Sequence, residues 1–260
     1  IRKGKRFLGL TDPGKELLTI VERMLLDAGN IKRLAEQFSL RDEGQLTIAT
    51  THTQARYALP QVVTAFKRAF PRVHLVLHQA SPDELVRLLL AGEADIGIAT
   101  EAVTEVPELV SFPYYSWNHC VIAPPEHPLH RQALTLETLA EYPIVTYHHG
   151  FTGRARIDNA FAEAGLAPDI VMAALDADVI KTYVELELGV GIVASMAVDP
   201  QRDHGVKVVD GEPLFGQQTS RIAIRRGHYL RSYAYRFIEL CAPALGEKSV
   251  RQALSPAVQE

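Results

Sequence analysis

What the sequence has little of narrows the field first. It holds two cysteines, Cys120 and Cys241, widely separated and each inside an apolar stretch. That spacing excludes a disulfide-stapled small fold, a paired redox motif and a cysteine zinc cluster. Both are expected to be reduced core thiols, and a cytoplasmic location goes with that expectation. No apolar run approaches the ~20 residues that span a bilayer, and no signal peptide with a cleavage site opens the chain; no membrane partner is expected. Positive charge is not in excess, because 27 Lys and Arg against 31 Asp and Glu leave a net charge of -4. There is therefore no global attraction for nucleic acid or anionic lipid. Gly-x-Ser-x-Gly elbows, His-Glu-x-x-His and P-loops are missing, so no nucleophile stands with its base, and the expectation is a protein that is not an enzyme and carries no cofactor.

What is present is ample apolar residue, 47% against 22% charged in 260 residues, enough for one large domain or two modest ones. The chain opens on Ile, which reads as a fragment or a processed product. Its first nine residues carry Arg2, Lys3, Lys5 and Arg6 without an acid: a solvated surface run or a phosphate-facing loop. Thr11-Asp12-Pro13 then supplies a capping hydroxyl, an acid for the positive helix end and a first-turn proline, which predicts a helix to about Phe38. Along it Leu17, Val21, Met24, Ala28, Ile31, Ala35 and Phe38 recur at alternating spacings of four and three, the seam of paired helices. A helix packed on its own domain is the alternative; dimerisation is the favoured reading.

After the polar turn Arg41–Gly44 strands and helices alternate: strand 46–49, helix 58–70, strand 73–78, helix 82–90, strand 95–99. A second succession follows from about Cys120: a strand ending at Ala123, helix 134–141, strand 144–147, helix 154–164, strand 170–174, helix 179–188, strand 191–194. The pattern predicts an α/β fold of two lobes, each with a parallel sheet covered on both faces. Strand 221–224 and helix 229–241 return to the first lobe, so crossings are expected near Tyr114–Trp117 and Gln217–Arg221, with a hinged cleft between the lobes. The expected division is a helix over 11–40, a first lobe from 45–115 plus 220–245, and a second from 118–216.

Ligands of open α/β sheets sit beyond the carboxyl ends of strands, where helix N-termini offer unpaired amides. Three polar loops fall there. Thr50-Thr51-His52-Thr53-Gln54 can hold an anion with hydroxyls, an amide and helix-end N–H groups, or one threonine simply caps the helix. Thr100 with Glu101 ends strand 95–99. His149-Gly150-Phe151-Thr152-Gly153-Arg154 has two glycines that admit close backbone approach; Thr152 is expected to face the first loop, and Arg154 to add charge, against the plainer reading of a capped glycine turn. Asp176-Ala177-Asp178 chiefly caps the next helix. Among the ten histidines, neither His148-His149, whose side chains diverge, nor His127 and His130, in a proline-rich loop, makes an evident metal site; no metal is expected.

Thr50-Thr51-His52-Thr53-Gln54-Ala55-Arg56-Tyr57-Ala58-Leu59-Pro60 resembles the CysB branch of LysR-type transcription regulators. So do Asp95–Glu101, Gly150–Arg154, Asp176–Tyr183 and Ala194–Pro200, an ordered set spread over about residues 45–240. Leu10–Gly14 is similar to the family's junction between DNA-binding wing and linker helix. The resemblance implies two Rossmann-like lobes in a periplasmic-binding-protein-like arrangement behind a dimerisation helix. It implies assembly as a homodimer or homotetramer, and a winged helix-turn-helix ahead of Ile1 that binds DNA in the full-length protein. Residues 1–10 would be the wing's remnant, with Arg2, Lys3, Lys5 and Arg6 facing DNA. The implied role is control of sulfur assimilation and cysteine biosynthesis genes in response to a small anion between the lobes: sulfate, thiosulfate, O-acetylserine or N-acetylserine. Thr51, Thr53, Gln54, Thr100 and Thr152 would hold it, with Trp117 nearby. His148-His149 departs from the family pattern, and His149 would add a titratable group if it reaches the pocket. Regulators of taurine and alkanesulfonate use share these motifs. A solute-binding protein for a small anion is the alternative of another class, disfavoured by the missing signal peptide and the heptad seam.

Overall fold

A computed structural model describes residues 2–3, 6–7, 9–39, 43–100 and 102–255. Strands β1 (Arg2–Lys3) and β2 (Arg6–Phe7) pair antiparallel; Lys5 lies outside the described residues, as does Glu101. Helix α1 (Asp12–Ser39) begins where the Thr11 hydroxyl accepts from the Gly14 amide at 3.2 Å. It crosses the first lobe at one joint: Asn30 donates to the Gly227 carbonyl at 2.7 Å and accepts from the Tyr229 amide at 2.8 Å, while Arg33 donates to the Gly92 carbonyl at 3.2 Å. The predicted seam stays largely outside that joint, with Leu17 60%, Met24 64% and Ile31 69% exposed.

The first lobe is built on β3 (Gly44–Thr50), β4 (Val73–Gln79) and β5 (Ile96–Ala99), all parallel, with α2 (Pro60–Ala69) and α3 (Pro82–Ala91) as crossovers. The second uses β7 (Ile144–Tyr147), β8 (Ile170–Ala174) and β9 (Val190–Ala194), again parallel where they pair, with α4 (Leu136–Ala140), α5 (Arg154–Glu163) and α6 (Ala177–Glu185). Between them run two long antiparallel strands, β6 (Leu109–Ala123) and β11 (Gln217–Arg225). β10 (Lys207–Val208) pairs with β6, and α7 (Ser232–Cys241) and α8 (Glu247–Leu254) close the first lobe.

Here the structure departs from the expectation of two separate sheets. The hydrogen-bonded order β4-β3-β5-β11-β6-β9-β7-β8 is continuous, because β6 pairs with β11 at its start and with β9 at its end. The crossings are strand, not loop. The register of β6 and β11 shifts between Ser220, opposite Tyr115, and Arg221, opposite Pro113. A proline cannot donate to the ladder, and the bulge beside it raises the local twist, so the shared strands turn from one lobe to the other without breaking.

Both faces of each lobe's sheet are covered. In the first lobe, Phe66, Phe237 and Ile238 pack on Leu46 and Ile48 on one side, and Leu85, Leu88 and Leu89 on Ala49 and Ala223 on the other. A Cβ at Gly97 would stand 2.7 Å from Leu89 Cδ1, so that glycine is what lets α3 lie close on β5. In the second lobe, Ile157 and Phe161 face Val121 and Ile192, and Ile180 and Val184 face Val145 and Val193. Cys120 and Cys241 are free thiols, and burial pushes each up to about 12.

Candidate functional site

The carboxyl ends of β3, β5 and β7 converge where the shared strands cross. After Thr50 the chain enters a helical turn at His52, continues as a π-turn over Gln54–Ala58 and passes into α2. The first N–H groups of such a turn have no acceptor within it. Across the cleft β7 leads into the loop His148–Gly153 and α5. The two loops touch through hydroxyls, Thr53 Oγ1 lying 3.3 Å from Thr152 Oγ1. Thr51, Thr53, Gln54 and Thr152 are all buried.

Beneath them, on the shared strands, a fully buried hydroxyl ties the floor together. Ser220 Oγ accepts from Gln54 Nε2 and from Trp117 Nε1, each at 3.0 Å, and lies 3.2 Å from Thr100 Oγ1. An indole N–H and a carboxamide NH₂ can only donate, so the one proton of Ser220 points at Thr100. Thr100 therefore keeps its own proton for another acceptor. The Tyr115 hydroxyl donates to Gln54 Oε1 at 2.6 Å, which fixes the amide's orientation. The Thr51 hydroxyl has no hydrogen bond among the described residues. In the Thr53–Thr152 pair one hydroxyl donates and the other's proton is left over. Among the described residues the floor thus presents several O–H donors and helix-end amides with no charged side chain among them, an arrangement that suits an anion.

His119 stands under the second loop. Its Nε2 lies 2.8 Å from the Thr152 carbonyl, and a carbonyl only accepts, so Nε2 carries the proton. Burial pulls the imidazole down to about 4, and its ring sits edge-on to Trp117 and Phe215. A Cβ on Gly153, where φ is +71°, would stand 2.7 Å from His119 Cε1, so this loop position requires glycine. Thr152 itself holds a left-handed φ of 44°, a conformation disfavoured for a β-branched residue and kept at a point where its hydroxyl meets the other lobe.

Two predicted contributors point elsewhere. Arg154 is buried, but its guanidinium donates to Tyr147 O and Asp158 Oδ1 at 2.6 and 2.7 Å, so its charge is spent inside the second lobe. His149 is exposed on the loop's outer side, 3.3 Å from Asp158 Oδ2. Trp117 is buried in the floor as described. Asp176 caps α6 by accepting from the Val179 amide at 2.9 Å. The other histidines considered are absorbed locally: His127 Nδ1 accepts from the Leu129 amide, and His130 Nε2 lies 3.0 Å from the Pro124 carbonyl.

At the rim charge replaces hydroxyls. Asp178 of the second lobe receives Arg56 Nε at 2.5 Å, the Tyr57 hydroxyl at 2.9 Å and Lys181 Nζ at 3.2 Å. Partial burial pushes its carboxyl up, but Tyr57 and Lys181 outweigh this and hold it below the usual range. His52, Asp176 and Asp178 place ligand atoms within 4.8 Å of one another. Two cations already on Asp178 oppose a metal ion there.

Sequence reasoning missed Ser220, Tyr115 and His119. The signal was available: along β11 the residues Gln218, Ser220, Ile222 and Ile224 share the buried face, and a polar residue in such a series needs a buried partner. Hollows of about 580 and 590 Å³ flank α1 between the helix and the lobe it crosses, the first lined by Arg33, Arg87 and Arg225 with Glu22 and Glu108. No helix among the described residues is long and apolar enough to cross a membrane.

Comparison with known proteins agrees with this fold. The chain is 55% identical over 259 residues to the HTH-type transcriptional regulator SsuR of Burkholderia cenocepacia, covering 99% of this chain and 84% of that protein. It is 48% identical over 254 residues to the HTH-type transcriptional regulator CysB of the same organism, covering 97% and 81%. The crystal structure of the cofactor-binding domain of the Cbl transcriptional regulator superposes with a TM-score of 0.79 at 47% identity, over 82% of this chain and 93% of that one. Residues 40–246 match the family model of the LysR substrate binding domain, and the chain belongs to that family.

Proposed function

We propose that this chain is the effector-sensing region of a LysR-type transcription regulator controlling sulfur-assimilation genes. It binds a small oxyanion or acetylserine between its lobes and catalyses no reaction on it. The observation that carries the reading is the donor array built from both lobes around Ser220, with Thr53 and Thr152 meeting across the cleft. Thr51, Thr53, Gln54, Thr100 and Thr152 are assigned to the anion, with Trp117 and Ser220 as their support. Arg154 and His149 act through the loop's shape and not by contact.

The division into α1, a first lobe of 45–115 plus 220–245 and a second of 118–216 follows the same logic. An anion that contacts both lobes favours one angle of the shared strands. Only that difference in affinity between two arrangements can shift how paired α1 helices present DNA-binding domains. The exposed seam of α1 fits a homodimer, and pairs of dimers a homotetramer; a cytoplasmic location follows from the role. Calorimetric titration with sulfate, thiosulfate, O-acetylserine and N-acetylserine tests the assignment. Saturable binding of at least one, weakened about tenfold in Thr51→Ala and in Thr152→Ala, is expected; turnover of any of them, or binding indifferent to both substitutions, contradicts it.

A further inference from the structure

Strand β6 serves both lobes, and its alternate residues point to one face. On that face Tyr115 donates to Gln54 of the first-lobe loop, Trp117 donates to Ser220 in the floor, and His119 donates through Nε2 to the Thr152 carbonyl of the second-lobe loop at 2.8 Å. Three successive side chains of one face thus address the three parts of the site. His119 occupies the position where the strand changes partner: Asn118 still lies opposite Gln217 of β11, and His119 opposite Ala194 of β9. Its donor is rooted in the shared strands and not in the loop it holds. Three features separate it from a histidine that only packs. Its Nδ1 is buried without a partner among the described residues, so the ring's hydrogen bonding there goes to Thr152 alone. Trp117, Phe215 and Tyr147 surround the ring, with centroids 5.0, 5.8 and 6.4 Å away, so packing sets the direction of the Nε2–H bond. The carbonyl it meets belongs to the residue with the left-handed φ of 44°, a conformation that persists where its surroundings over-determine it.

Building on the anion site just proposed, we infer that His119 is a positioning residue: its hydrogen bond holds the Thr152 peptide so that the Thr152 hydroxyl stays turned toward Thr53 and the anion. His119 touches no anion itself. It carries the setting of the shared strands to the hydroxyl with which the second lobe meets Thr53 at 3.3 Å, so its effect on binding passes through Thr152.

The test is a double-mutant cycle. Sulfate and N-acetylserine are titrated calorimetrically into the unaltered chain, His119→Leu, Thr152→Ala and the two substitutions combined, with His119→Gln as the variant that keeps an N–H donor at the same reach. His119→Leu should weaken binding roughly five- to tenfold, approaching the loss in Thr152→Ala. The combined variant should bind no more than about twofold worse than Thr152→Ala alone, because residues acting through one contact do not add. His119→Gln should recover affinity to within about threefold of the unaltered chain, as one restored hydrogen bond allows. Should His119→Leu fail to fold, His119→Asn, whose amide is too short to reach the carbonyl, takes its place in the cycle. Hydrogen exchange gives a reading without any anion: the Phe151 and Arg154 amides, bonded within the loop to His148 O and Phe151 O, should exchange faster in His119→Leu and at their original rate in His119→Gln, with the amides of β3 unchanged in both. Losses that multiply, to about a hundredfold in the combined variant, make His119 a packing residue and overturn the inference, as does full affinity or an unchanged loop in His119→Leu. Either result spares the anion site. If neither anion binds the unaltered chain, the anion site itself is refuted and the positioning role with it.

Discussion

The floor and the rim of the cleft join the same two lobes by opposite means. At the floor Ser220, Gln54, Trp117, Thr100 and Tyr115 are neutral, directional and mostly buried, so each hydrogen bond is set by the atoms that can donate and those that can only accept. At the rim Arg56, Tyr57 and Asp178 are charged or phenolic and partly exposed, with the buried Lys181 ammonium behind them, and what joins Arg56 to Asp178 is mainly Coulombic attraction through a high dielectric. Desolvated neutral bonds are costly to break because the group left behind has no water to replace its partner. Exposed ion pairs exchange partners with solvent at little net cost. The floor therefore defines geometry, and the rim adds a field.

The largest effect expected from this contrast is at His119. A folded-state value of about 4 against an ordinary 6.5 means that protonating the folded protein costs on the order of 3 kcal/mol. The unfolded chain binds the proton first as pH falls, so this contribution is whole above pH 6.5, declines between 6.5 and 4, and is spent below 4. Denaturant unfolding of the unaltered chain and of His119→Gln across that window should show the extra loss only in the former. Parallel pH profiles would mean that the ring is hydrated after all.

Next comes Gln54→Leu. It removes the acceptor of Tyr115 and one donor to Ser220, and should destabilise by about 2 kcal/mol, the scale of leaving buried polar groups unpaired, while abolishing measurable anion binding. A loss under ~0.5 kcal/mol would show the floor to be wet and interchangeable with the rim.

Thr152 separates backbone from side chain. Thr152→Ala and Thr152→Gly both delete the hydroxyl that meets Thr53, and both should weaken anion binding by roughly tenfold, one charge-assisted hydrogen bond. Only glycine relieves the left-handed φ of 44°, so Thr152→Gly should be the more stable of the two by about 1 kcal/mol. Equal stabilities would place the loop's conformation under no strain.

How far each region was legible in the sequence follows the same division. Periodicity located α1, the parallel strands and their crossover helices, because an apolar face repeats with the element that buries it. Punctuation by glycine, proline and hydroxyl residues marked the two loops whose Thr53 and Thr152 meet across the cleft. It did not reveal β6 as one strand running from Leu109 to Ala123: Pro113 and the polar Ser116, Asn118 and His119 interrupt the apolar pattern where the strand changes lobes. Nor did it reveal Ser220 or Tyr115, whose roles rest on register between segments a hundred residues apart. For Arg154 the sequence shows a cation beside a glycine loop but not that Asp158, one helical turn on, accepts from its Nε.

The smallest effect belongs to the rim, and it decides whether the rim touches the ligand or only influences it. Asp178→Asn keeps a partner for Tyr57 but leaves Arg56 and Lys181 less neutralised, with Asp203 still 2.9 Å from Lys181. Stability should change by less than ~1 kcal/mol, since Arg56 and Asp178 are 52% and 35% exposed and their attraction is screened. Anion affinity should rise two- to threefold at low ionic strength, because uncompensated positive charge near the cleft attracts any anion whatever its shape, and the gain should vanish at about 1 M salt, where screening acts within ~3 Å. An increase that survives high salt, or one that depends on which anion is used, would make Asp178 a group the ligand displaces from Arg56. The distinction between a floor that recognises and a rim that attracts would then fail.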